Sequence, residues 1–307
     1  MGAQRVAGRV EDRTRSAGAP PEAAAALLRD GPRLTAARIL SLVVLGLMLV
    51  QSLLGLLVPG LYPEQPWALA ALRGNDLVTL AVVVPALAVA LYRSATRAST
   101  ASVAVWLGLL FYGVYNYAYY AFGAAFSDVF LVHVAAFSLS TYALVLLGSS
   151  LEVDAVAAGI RTGPAARVVA AFTTLLGAGL LVAWGTFSVR FALTGLLPAD
   201  VMPPSAIHLV YALDLGVLAP AFLVSGILLW LRRPLGAVLA AAANVSAAAY
   251  LLVLEVGGGF QSDAGIGSAT WASAPAIGGT VLCLLAAMTL LTGRPRAVAP
   301  SATSRPR

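Results

Sequence analysis

Residues 207–233 read IHLVYALDLGVLAPAFLVSGILLWLRR, an apolar run broken by one acid, Asp214, and closed by Arg232 and Arg233. How that run is read decides the fold. As a helix rising about 1.5 Å per residue, it is long enough to cross a hydrocarbon core roughly 30 Å thick. A carboxylate at the centre of such a helix costs about 2.5–3.5 kcal/mol, while each Leu, Ile, Val or Phe returns about 0.3–0.6 kcal/mol. Fourteen such residues lie in 207–231, so insertion wins and the acid does not argue against a membrane span. It argues instead that Asp214 faces the protein interior, because an unpaired charge toward lipid is disfavoured.

The rest of the chain repeats the pattern. The 307 residues are 60% hydrophobic and only 10% charged, against about a quarter charged in soluble domains. That leaves too little charge to coat a globule, and the mean hydropathy is +0.89. The short alternating segments of a transmembrane barrel are absent. The reading is an all-α membrane protein, a bundle of eight transmembrane helices. The spans are expected near 37–57, 76–92, 102–122, 126–147, 167–187, 207–231, 235–256 and 273–292. Residues 1–36 and 293–307 are expected to be structureless, Arg-rich tails flanking a 37–292 helical domain. Residues 1–32 do not read as a cleaved secretory signal, since the apolar run after them is too long and starts too late.

Arginine placement sets the orientation. The chain contains no lysine, and among 19 arginines only Arg73 and Arg190 fall on the side opposite the tails. Cytoplasmic loops carry the arginine excess, so both ends are expected in the cytoplasm of a cell-membrane protein. The outer side carries Pro-rich loops, "PGLYPEQPW" from Pro59 and "LPADVMPPS" from Leu197, and the acids Glu64, Asp76, Asp128, Asp200, Glu255 and Asp263. Trp67, Trp184 and Trp271 stand near the expected outer boundaries, where indole rings favour the interface. The basic balance is therefore one of topology, and no nucleic acid is expected as a partner. The partners are the bilayer and a small solute or ion; the oligomeric state is left open.

Two internal matches suggest a parallel 4+4 repeat. "DLVTLA" (76–81) and "DLGVLA" (214–219) occupy the second and sixth spans, each followed by a proline, Pro85 or Pro220. "FGAAFSD" (122–128) resembles "VGGGFQSD" (256–263) after the third and seventh.

The chemistry-bearing residues gather in the outer halves. Asp214 calls for a partner: Tyr211, a tyrosine of the third span, or backbone freed by a kink at Pro220. The third span holds "FYGVYNYAYYAFG", in which Tyr112, Tyr115 and Tyr119 share a face and Asn116 and Tyr120 lie beside them. Buried phenols seek acceptors, so a network of Tyr115, Asn116 and Asp214 is expected. Asp76, Asp128 and His133 complete the candidate binding set, an outward-facing polar cluster between the second, third, fourth and sixth spans. The alternative is that these residues only pack helices or form an aromatic belt. A bis-histidine haem would need two rings at similar depth, and His208 stands near the surface. Cys283 is the single cysteine. No cofactor and no metal are expected. Asn244, within "NVS", lies inside a span and is no glycosylation site.

No phosphate-binding loop, dinucleotide fingerprint, HExxH or GxSxG motif occurs, so no catalytic residue is assigned. At "DLVTLAVVVPALAVALYR" (76–93), "YNYAYYAFGAAFSDVFLV" (115–132) and "ALDLGVLAPAFLVSGILL" (212–229) the chain resembles a group of uncharacterised bacterial multi-pass membrane proteins. The resemblance implies an eight-helix core and no particular activity. The reading favoured is a transporter of a small solute or ion. A membrane-embedded enzyme or redox protein acting on lipid or quinone, and a non-catalytic scaffold or sensor, are the alternatives. A reporter fused after Arg307 should be active only on the cytoplasmic side; activity on the outer side would overturn the eight-span threading.

Overall fold

The computed structural model describes residues 26–97, 99–196, 204–266, 271 and 273–292. The expected structureless tails lie outside them, apart from 26–36. Among the described residues the chain is helical, with no strand beyond one isolated bridge. The helices are α1 (Pro32–Leu57), α2 (Pro66–Thr96), α3 (Thr100–Gly123), α4 (Phe130–Ser149), a short α5 (Val153–Ala158) and α6 (Pro164–Thr194). They continue with α7 (Pro204–Leu213, then Asp214–Leu218 and Ala219–Trp230), α8 (Pro234–Asp263) and α9 (Ala274–Leu291). All but α5 are long and apolar enough to cross a bilayer, eight in number. Helices satisfy their own backbone groups, which is what hydrocarbon demands of a spanning segment.

The helix starts follow local chemistry. Pro32, Pro66, Pro164, Pro204 and Pro234 each open a helix, where the missing N–H costs nothing and the fixed φ suits the first turn. Ser99 caps α3 in a reciprocal box with Ser102. The most consequential difference from the sequence reading is at α2. Hydropathy placed its start at Asp76, but the helix begins ten residues earlier at Pro66. Asn75 and Asp76 are buried against other helices, and a polar residue facing protein does not end a helix as one facing lipid would. Asp76 is thus a mid-helix acid, not a loop acid.

The Pro32 start also shortens the expected N-terminal tail. Ahead of it, Leu28 bridges Leu151, the Arg29 amide donates to the Ser150 carbonyl (2.8 Å), and the Arg29 guanidinium meets Glu152 at 2.6 Å. The Arg161 amide donates to the Leu290 carbonyl at the end of α9 (2.8 Å). The start of α1, the α4–α6 connection and the end of α9 therefore share one face of the bundle.

Helices α3 and α8 form the centre. They are buried along most of their length, while the others keep a broad exposed apolar face. Without a hydrophobic drive between helices in lipid, close packing by small residues holds such a centre. Helix α8 supplies it with "LAAAANVSAAA" (239–249), and it packs on α2, α3, α7 and α9. Helix α1 lies against α4, α4 against α3, and α6 against α7. Asn244 is buried at this centre and its amide donates to Thr173 (2.9 Å) and to the Ala240 carbonyl (2.8 Å).

Both aspartate-bearing spans contain a π turn, Thr79–Val83 in α2 and Asp214–Leu218 in α7. Each ends two residues before a proline, Pro85 or Pro220. The residue directly before each proline bonds five back: the Val84 amide to the Thr79 carbonyl, the Ala219 amide to that of Asp214. A proline ring inside a helix collides with the carbonyl four residues earlier. Widening the preceding turn relieves that collision. The kink expected at Pro220 takes this form.

Where α2 crosses α8, Gly74 lies so close to Gly257 that an added Cβ would strike its backbone. Gly74→Ala should therefore lower stability by about 1–3 kcal/mol, the usual cost of overpacking. Gly46→Ala, on an open face, should leave the thermal midpoint in detergent unchanged. Equal midpoints for the two variants would refute the close crossing.

Candidate functional site

Helix α3 carries the site. Successive residues turn by about 100°, so Tyr115 and Tyr117, two apart, point to opposite sides. Tyr117 and Tyr120 face α1, α2 and α4; Tyr115 faces α7 and α8. The polar cluster expected as one body is consequently two, separated by α3.

The first centre surrounds Asp76. Its carboxylate accepts from Gln51 Nε2 (2.6 Å), the Tyr120 hydroxyl (2.9 Å) and the Tyr62 hydroxyl (2.9 Å). Gln51 also donates to Tyr62 (2.7 Å), and its own carbonyl accepts from Tyr117 (2.9 Å). Every one of these side chains is buried. Gly55 closes the cluster, because any side chain there would collide with the carboxylate and with Tyr62. Tyr62 lies in the α1–α2 connection, outside the spans. Burial, and then the Asp76 charge, push its phenol well above the ordinary value, so it remains a hydrogen-bond donor. His133 stacks beside this group with its ring 4.7 Å from that of Tyr120, and its Nε2 has no protein partner. Asp128 is exposed in the α3–α4 connection and does not join it.

A chain of side chains runs between the centres. Asn75 donates to Asn116 (2.6 Å), and Thr79 lies 2.8 Å from the Tyr112 hydroxyl and 3.1 Å from the Asn75 carbonyl. Asn116 thus bonds Asn75 rather than Asp214 or Tyr115.

The second centre surrounds Asp214. The Tyr115 hydroxyl donates to Oδ1 (2.6 Å) and Trp184 Nε1 to Oδ2 (2.7 Å). The Tyr250 hydroxyl lies 3.3 Å from that of Tyr115, with the rings edge to face at 4.7 Å. Tyr211 makes no bond to Asp214; its ring stacks on Trp184 at 4.4 Å and its hydroxyl has no protein partner.

Unlike the first centre, this one opens on a cavity of about 360 Å³ between α2, α3, α6, α7 and α8. Asp214, Tyr115, Asn116 and Tyr250 form its wall, and it extends to Gln261 near the end of α8. That end is opposite the face where Leu28 meets Leu151. Tyr112, Tyr115 and Tyr119, the stripe visible in the sequence, all line it. Asp76 and His133 do not.

Gln51, Tyr62, Asn75, Thr79, Tyr117, Trp184 and Tyr250 are the members that sequence reasoning missed. Gln51 and Tyr250 are lone hydrogen-bonding side chains in apolar runs, which is itself a signal, since each must find a partner inside. Trp184 was assigned to the interface because indoles gather there, but its N–H turns inward.

No protein family, curated protein or solved structure matches the chain. What the fold itself shows is a polytopic α-helical membrane protein. The resemblance to uncharacterised multi-pass proteins goes no further than that.

The two acids should respond differently to removal. Asp76→Ala strands three buried donors, at about 1–3 kcal/mol for each left unsatisfied. Asp214→Ala strands two beside a cavity that can admit water. Thermal midpoints in detergent should fall much further for Asp76→Ala; the reverse order would refute the assignment of a sealed and an open centre.

Proposed function

We propose that this chain is a small-solute transporter of the cell membrane, with both ends cytoplasmic and the cavity in the outward half. Asp214 is its binding carboxylate. One observation carries the reading: of the two buried mid-helix acids, Asp214 alone borders a cavity, and Tyr115 and Trp184 hold its two oxygens in place. Ligand pockets in proteins start at about 300 Å³ and are mostly apolar with a few fixed polar groups, which matches this one. An acid inside a membrane marks a solute, ion or proton path by default. The arginine distribution supports the orientation.

The two halves of the chain support an internal 4+4 duplication as part of the same proposal. Asp76 and Asp214 each stand ten residues after the proline that opens their helix, and each half places a π turn ahead of a second proline. Transporters built from repeats put their sites at broken helices between the halves.

Ser246 lines the cavity from α8. In a Cys283→Ala background, Ser246→Cys should react with the uncharged reagent 2-hydroxyethyl methanethiosulfonate in purified protein. In intact cells, the impermeant trimethylammonium analogue should reach it from outside. A thiol inert to the uncharged reagent would overturn the cavity reading. Reaction only after the inner face is exposed would overturn the orientation.

A further inference from the structure

Asp214 has an incomplete charge balance. The Tyr115 hydroxyl donates to its Oδ1 at 2.6 Å. Trp184 contributes an N–H that can only donate. Neither donor brings a positive charge. Among the described residues the cavity wall contains no arginine and no histidine, and the chain has no lysine. Intramembrane acids generally pair with a cation; here the described residues of the wall supply none.

The wall also has a particular composition. Tyr112, Tyr115, Tyr119, Trp184, Phe222 and Tyr250 present rings to one space. Aromatic faces attract ammonium groups, with about 2 kcal/mol or more available once both are desolvated, and cages of this kind recognise quaternary ammonium ligands. Asn116 is 2% exposed, lines the same cavity, and its Nδ2 has no protein partner. That amide group is buried in the wall itself and does not open on the cavity.

We infer that the cavity takes an organic ammonium ion, its charge held by Asp214 and the surrounding rings. The inference rests on the proposed solute-binding role of the cavity. The predominantly apolar wall favours a cation carrying hydrocarbon substituents over a hydrated metal ion, because a hard ion would need several oxygen ligands and the wall offers few.

The test uses Ser246→Cys in the Cys283→Ala background with methanethiosulfonates of three charges: trimethylammonium-ethyl, hydroxyethyl and sulfonato-ethyl. Rates are normalised to those with a free thiol in solution. The cationic reagent should outpace the anionic one by roughly tenfold or more, which corresponds to about 1.4 kcal/mol. Benzyltrimethylammonium should slow labelling by the uncharged reagent. Asp214→Asn should abolish both effects, Asp214→Glu should retain the charge preference, and uncharged labelling in each variant certifies an intact cavity. Uncharged labelling without a charge preference overturns the ammonium inference and leaves the solute cavity standing. No labelling by any reagent overturns both. A charge preference that survives Asp214→Asn also overturns the inference, by removing Asp214 as its source.

Discussion

A hydroxyl, amide or carboxylate inside a bilayer has no water to bond, so its partner must come from the protein. Most of the architecture around α3 follows from that constraint. Five tyrosines and an asparagine fall within Tyr112–Tyr120, and α3 is turned toward neighbours on nearly all sides. Each side receives a different acceptor. Tyr117 and Tyr120 meet Gln51 and Asp76, Tyr112 lies against Thr79 and Asn75, and Tyr115 meets Asp214. A helix so furnished can stand only at the middle of the bundle, and the lipid-facing work falls to α1, α4, α6 and α9.

The number of spans was legible because it depends on a one-dimensional quantity, apolar length. The helix ends were less so. Hydropathy measures what lipid would tolerate, and the first turns of α2 and the last turns of α6 and α8 run past that limit. The stripe Tyr112–Tyr115–Tyr119 was correctly read as one face, and its members share one cavity. The assignment of Asp76, His133 and Asp214 to one cluster was not correct, because periodicity within α3 cannot say which neighbour stands on which side. That information lies in the small-residue crossings, Gly74 with Gly257 above all, which bring α8 between α2 and α7. Trp184 and Tyr250 join the site through the same tertiary packing, and no local pattern says which acid they meet.

The two Asp-Leu-x-x-Leu-Ala copies then show how little a shared motif determines. Their aspartates sit at the same distance from the start of the helix, yet their kink prolines do not. Pro85 follows Asp76 by nine residues, while Pro220 follows Asp214 by six. Since each π turn is tied to its proline, Asp214 opens its π turn, whereas Thr79 takes that place in α2. Asp76 is left in regular helix, one turn from the irregularity, where Gln51, Tyr62 and Tyr120 can close around it. Asp214 stands where the helix widens, its backbone carbonyl bonded five residues on and its side chain at the cavity edge. A three-residue shift in proline register thus separates a sealed carboxylate held by three donors from one that is held by two and borders a cavity. On the proposed duplication, two equivalent acids diverge in this way without a change to either motif, and the acid at the cavity is the one a ligand could reach.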